Sequence, residues 1–427
     1  MHMKKIFLFW TLGLALALPS CLRDECVSHR VFVRMDPVYS TVQALRDGGF
    51  SIAQARPLRH PGKIYSYGHY LLINEIDEGI HIIDNSDPAH PANLSFIQIT
   101  GNRDMAVKEN ILYADNVVDL LAIDITDPLA PVLRKRLENV FQKSYGWGGA
   151  AASQPLLVGY TKSNETQVID CAQPRFQRET FLDNSGFWVR ADVLQSSGGN
   201  SAAKTNGVGG SMARFGIVDR YLYAIDQSEL HVVYIDQPAD PKEGKSVSIS
   251  WNIETLFPYK DKLFIGAQNG MFILENKNPE APYLLSSFSH ARACDPVYVD
   301  GETAFVTLRD GNECTNYTNE LDIVDISNIT SPRLVKKYQM QHPHGLSVID
   351  QILFLCEGQY GLKAFDAGNI QTIDKNLKAH LTAFHAYDVI ALSRSHLIVV
   401  GEQGLIQLDA SDLKNIKTRS LIPVVKD

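Results

Sequence analysis

The chain has 427 residues, of which 45% are apolar and 21% charged, with Gly and Pro near ordinary frequency. At roughly 150 residues per domain this allows two to three domains; disorder over most of the length, collagen-like repeats and low complexity are excluded. The net charge is −8, and −10 (38 − 48) without Lys4 and Lys5, which is a poor basis for nucleic-acid binding because that depends on Lys and Arg neutralising phosphates.

In chain order, Lys4 and Lys5 precede an apolar run of 13 residues, Ile6 to Leu18. A bilayer-spanning helix needs about 20 apolar residues, so the run reads as a secretory signal over residues 1–20. It ends Leu18-Pro19-Ser20-Cys21, which resembles the lipobox of bacterial lipoproteins, although Pro19 departs from the small residue usual there. That resemblance implies cleavage before Cys21 and acylation of its thiol; a plain secretory signal is the alternative. Several acyl chains anchor a protein stably, where one alone is marginal. The expected address is therefore the outer membrane, lipid-anchored, facing the cell surface or the periplasm. The acidic Leu22-Arg23-Asp24-Glu25 resembles surface-export signals of some Gram-negative lipoproteins, with a charged linker as the alternative. Residues 21–61 are read as a tether and N-terminal extension, which could add a strand to the last blade of the repeat described next.

From residue 62 onward a short apolar run ending in an acid recurs. Its copies are Ile80–Asp84, Leu120–Asp124, Val232–Asp236, Met271–Glu275, Leu321–Asp325, Leu362–Asp366 and Leu405–Asp409. Apart from one gap, successive acids lie 39 to 50 residues apart (275 − 236 and 325 − 275). A second run precedes each copy, as in Leu71–Glu75 or Leu353–Glu357, and Ser86-Asp87-Pro88 typifies the turn that follows. Runs of four to six residues rich in Val, Ile, Phe and Tyr between turn residues read as strands, and near-continuous apolar runs imply burial on both faces. Four antiparallel strands per roughly 40 residues, covered on both faces, is the arrangement of an all-β propeller, in which closure removes the end blades.

The runs Ile82-Ile83-Asp84-Asn85-Ser86-Asp87-Pro88, Ala122-Ile123-Asp124-Ile125-Thr126-Asp127-Pro128 and Ile323-Val324-Asp325-Ile326-Ser327 resemble the LVIVD-repeat family. The resemblance covers residues 62–425 with one interruption. It implies a β-propeller of a bacterial or archaeal cell surface, mostly without an assigned activity. The irregular gap (236 − 124 = 112 residues) contains Leu156–Tyr160 and Thr166–Asp170, which look like the middle strands of a blade. Seven blades over 62–427 with a strand-bearing insertion at 142–210 is the expectation; eight blades is the alternative.

Cys294 opens an inner strand and Cys314 lies between a second and a third strand, so a four-stranded meander puts both on one face and permits a disulfide. Cys356 reads as a buried small hydrophobe. Inner strands begin on the face where second strands end, which defines a candidate binding mouth: Arg103, Asp104, Arg292, Asp295, Arg309, His342, His344, Glu357, His385 and Asp388. Second strands end in Glu75, Asp115, Asp226, Gln268, Arg309, Glu357 and Glu402, acids of a kind that also bond nearby backbone. His342-Pro343-His344 has metal-ligand spacing but no third ligand, so solvated loop histidines are expected, with no metal and no cofactor. Gly198–Thr205 departs from a phosphate loop at Ala203 and reads as a flexible insert, and Gly209–Ala213 lacks the last Gly of a nucleophile elbow. The functional expectation is a monomeric, non-catalytic binder of a glycan or protein through the mouth or the insertion. The alternative is a hydrolase or lyase using mouth acids such as Asp295 and Glu357 with a histidine.

Overall fold

The computed structural model describes residues 27–141, 155–170, 208–289, 296–309 and 318–425, with backbone only for 27–33 and 162–170. It divides into two units. The smaller comprises residues 1–37 and 160–186, the larger 38–159 and 187–427. The described part of the smaller unit is residues 27–37 and 160–170, which belong to the two strands Val27–Ser40 and Leu156–Asp170 of one sheet. Leu156–Tyr160 and Thr166–Asp170 are thus one continuous strand rather than the middle pair of an eighth blade. Alternation along a strand reads the same whatever the partner, which is why the two runs suggested a hairpin.

The larger unit contains seven antiparallel meanders, all-β as expected. Blade 1 is built from Pro61–Tyr67, Tyr70–Glu75, Gly79–Asp84 and Ala92–Ile99, and blade 2 from Met105–Lys108, Ile111–Asn116, Asp119–Asp124 and Val132–Leu137. Blade 3 is Phe215–Val218, Tyr221–Ile225, Glu229–Tyr234 and Lys242–Ser248; blade 4 is Ile253–Tyr259, Lys262–Ala267, Gly270–Glu275 and Tyr283–Ser289. Blade 5 is Val297–Asp300, Thr303–Leu308, Glu320–Asp325 and Arg333–Gln339. Blades 6 and 7 follow with Leu346–Ile349, Ile352–Cys356, Leu362–Asp366, Leu377–Leu381, and Asp388–Ser393, His396–Gly401, Gly404–Asp409, Lys417–Pro423.

The two middle strands of each blade are apolar on both faces because neighbouring blades cover them, and the buried clusters accordingly run from blade to blade. The ring closes where Leu58, Ile64 and Leu71 pack on Ile390, Ile398 and Leu405. A parallel bridge joins Leu58 to Val424, and the Asn85 and Gln407 carboxamides exchange two hydrogen bonds of 3.1 and 2.6 Å. Phe50–Gln54 does add a strand, but to the outer edge of blade 1, where it pairs antiparallel with Ala92–Ile99, and not to the last blade. The helix Val42–Gly48, capped by Thr41, buries Val42 and Leu45 against Val117, Val118, Leu156 and Val158.

The recurrent terminal acid has a local cause. Asp84, Asp124, Asp325 and Asp409 each accept the backbone N–H two residues on at 2.9–3.0 Å, closing an Asx turn between the third and fourth strands. The other oxygen of Asp124, Asp325 and Asp409 binds an outer-strand arginine: Arg134, Arg333 and Arg419. Blades 1, 4, 6 and 7 open the third strand with Gly79, Gly270, Gly361 and Gly404 at positive φ, where a Cβ would lie 1.9–2.5 Å from an outer-strand carbonyl oxygen. Only glycine fits there without a shift.

Candidate functional site

The acids that end the second strands are tied to the protein's own backbone. Glu75 accepts from the backbone N–H of Arg59 (3.1 Å) and of His60, and from His81 Nε2 at 2.9 Å. Asp115 accepts from the N–H of Arg103 and Asp104, both at 2.8 Å, and from the Asn102 carboxamide. Asp226 accepts from the N–H of Ser228 and Glu229 at 2.9 Å and contacts His231 Nε2 at 3.1 Å. Glu357 accepts from the N–H of Gln341 at 2.8 Å and pairs with Lys363. Burial pushes the Asp226 carboxyl up, but the bonds from His231, Ser228 and Glu229 outweigh it and hold it well below the usual range. The same balance lowers Glu75, where burial is opposed by His81, His60 and Arg59. Blade 5 reverses the signs, with Arg309 just after its second strand and Asp322 in its third.

A short segment, residues 208–214, runs along the inner side of the ring. Val208 and Gly209 pair antiparallel with Ser66 and Tyr65 on the inner edge of blade 1. Ser211 Oγ accepts from Leu346 N–H of blade 6 at 2.7 Å and lies 3.4 Å from Asp388 Oδ1 of blade 7. Ala213 O accepts from Leu256 N–H of blade 4 at 2.6 Å. Asp104 Oδ2 then receives the backbone N–H of Arg214 and of Phe215 (3.2 Å) together with Lys63 Nζ at 2.6 Å. Residues 209–213 are buried throughout, so the segment that fails as a nucleophile elbow is an inner strap. Its glycines and serine carry no apolar signal; partners from five blades satisfy its polar groups.

The mouth residues consequently separate into several environments. Asp104 and Asp388 are buried against the strap. Arg103 is partly exposed and donates to Asp77 Oδ1 at 3.1 Å. His385 is also partly exposed, with Nδ1 2.6 Å from Glu402. His344 is 2% exposed, contrary to the solvated loop expected, and its Nε2 lies 3.0 Å from His342 Nδ1. Burial, then Arg309 and His342, lower its pKa well below the ordinary histidine value. Arg309 and Glu357 are buried; Arg292, Asp295, Cys21 and the Cys294–Cys314 pair lie outside the described residues. Cys356 is buried and free, its thiol pushed well up by burial. Among the described residues no group of three or more His, Cys, Asp and Glu could hold a metal ion, and no helix is long and apolar enough to cross a membrane.

The rim of this face carries a group that sequence reading passed over. Trp251, at the entry to the inner strand of blade 4, is 76% exposed. Beside it Asn252 donates to Gln268 Oε1 at 3.1 Å, and Gln268 donates to Glu254 Oε1 at 3.0 Å. A Trp-Asn pair in an otherwise polar link between apolar runs was the available signal.

A family model of the LVIVD repeat matches residues 60–97, 101–138 and 315–340. The chain carries LVIVD repeats. The matched segments fall on blades 1, 2 and 5, the three whose runs show the motif most fully; the remaining four blades are recognised by their strand order alone. No curated protein matches the sequence. Similar solved structures include the computationally designed Ika8 protein (10% identity, 88% of this chain and 92% of that chain, TM-score 0.48). Sqt1 of Saccharomyces cerevisiae is 8% identical over 90% of this chain and 88% of its own, with a TM-score of 0.48. BamB of Moraxella catarrhalis is 6% identical over 89% and 96%, with a TM-score of 0.46.

Proposed function

We propose that this propeller with LVIVD repeats is a non-catalytic, lipid-anchored binding protein of the outer membrane that takes a glycan or another macromolecule at the rim of the face on which the inner strands begin. The observation that carries this reading is the engagement of Glu75, Asp115, Asp226 and Glu357 with backbone amides, which commits these carboxylates to holding loops. At the rim, by contrast, an indole and side-chain amides face solvent, and an exposed aromatic beside polar groups is the composition of a binding surface. Cys21 supplies the anchor and the following residues the tether.

Binding of the purified protein to a glycan array, followed by titration of any hit with Trp251→Ala, tests the reading. A loss of at least about tenfold in affinity is expected. Undiminished binding by both Trp251→Ala and a deletion of residues 186–207, which spares the strap, counts against the rim and the insertion alike. Turnover of a glycan, abolished in Asp295→Ala or His344→Ala, would replace the reading with a hydrolase or lyase. Labelling with radioactive palmitate, lost in Cys21→Ala, is expected for the anchor, and protease shaving of intact cells distinguishes the outer from the inner leaflet.

A further inference from the structure

Lys63, on the inner strand of blade 1, and Asp104, just before the inner strand of blade 2, meet with Nζ 2.6 Å from Oδ2. Their side chains are 5% and 4% exposed, and among the described residues no other lysine–carboxylate pair has both partners so deeply buried. Further groups converge on the same carboxyl. The backbone N–H groups of Arg214 and Phe215 both point at Oδ2, the arrangement that holds the oxyanion of a tetrahedral acyl intermediate. Asp115 sits against Asp104, its Oδ1 accepting the Asp104 N–H at 2.8 Å. Burial pushes the Asp115 carboxyl up in spite of the N–H groups of Asp104 and Arg103, and burial lowers Lys63 against the pull of Asp104. A lysine nitrogen, an acyl carbon, oxyanion donors and an acid that tends to stay protonated thus share one buried place.

We propose that Lys63 and Asp104 condense into an isopeptide bond that ties blade 1 to blade 2. The Nζ lone pair adds to Asp104 Cγ. Oδ2 rests as the oxyanion on the N–H groups of Arg214 and Phe215 and becomes the amide oxygen, while the bond from Cγ to Oδ1 breaks. Of the three ammonium protons one stays on the amide nitrogen, and two leave with Oδ1 as water, moved there by way of Asp115. The two charges of the pair cancel, and nothing is oxidised or reduced. Held contact between amine and carboxyl supplies the orientation that such a condensation otherwise lacks. Exchange of two buried charges for a neutral amide, with expulsion of water, drives it forward. The link spans 41 positions (104 − 63) and constrains the unfolded chain accordingly.

Mass spectrometry of the full chain, reduced, denatured and digested after its glutamates, tests it. The wild-type protein is expected to yield residues 26–75 and 79–109 as one species, lighter than their sum by one water. Lys63→Arg keeps the positive charge but lacks the amine, and should yield two separate peptides with a thermal midpoint lower by about 5 °C or more. Asp115→Ala, verified as folded by far-ultraviolet circular dichroism, should form the link at least about tenfold more slowly. Separate peptides from the wild-type protein would mean an ion pair and nothing more, and overturn the proposal whatever the variants do. So does a water lost within residues 79–109 alone, the mark of a succinimide. A folded Asp115→Ala protein that links as fast as wild type overturns the part given to Asp115.

Discussion

Asp124, Asp325 and Asp409 each do two things with one carboxylate: one oxygen closes the turn and the other holds an arginine of the outer strand. The hydroxyls and amides of Thr126, Ser327 and Ser411, aided by those arginines, bring the three carboxyls down to about 2. Below the ordinary value of 3.8 the unfolded chain takes up protons before the folded one does. The stability these groups contribute is therefore complete above about pH 4 and is lost as pH falls through about 2. The thermal midpoint is expected to drop steeply between those limits, and a triple Asp→Asn variant should show a shallower drop. A variant with an unchanged slope would remove the turn acids as its source. These residues were legible in the sequence because their partners lie two residues on or directly across a hairpin. His344 was not legible, since its burial depends on Arg309, Thr307 and Tyr387 from other strands.

Among elements, the strap is the one whose role depends most on distant partners. Lys63 is buried, and burial lowers its pKa despite Asp104 beside it. Removing Asp104 would leave that ammonium without its ion partner and free the N–H groups of Arg214 and Phe215. Asp104→Ala is expected to cost about 3–5 kcal/mol, because a broken buried pair leaves an uncompensated charge. The urea midpoint and the hydrogen exchange of the Arg214 and Phe215 amides measure it, and unchanged protection there would show that Asp104 does not hold the strap. Phe50–Gln54 also fell outside what the repeat could announce: it has no copy elsewhere, and its register is set by pairing with a strand some 45 residues away (97 − 52).

At the scale of the whole ring, closure rests on groups from the two ends of the repeat. Gln407 and Asn85 bond each other across the joint, and Ser420 Oγ donates to Pro88 O at 2.7 Å. Gln407→Leu is expected to destabilise by about 1–3 kcal/mol, since it leaves the Asn85 carboxamide buried without its partner. Adding Asn85→Leu should recover part of that loss. If the two effects simply add in chemical denaturation, the pair does not couple the ends.

Strand order within a blade follows from the sequence, because each blade is made by contacts within about 40 residues and every copy of the run repeats the same local problem of hiding two apolar faces. The tertiary structure alone decided between seven and eight blades, which strand covers blade 1, how Leu58 meets Val424, and that a Gly-Gly-Ser segment lines the inside of the ring. Those outcomes depend on which backbone N–H and C=O groups remain to be paired once the ring has closed, and no local pattern of residues records that.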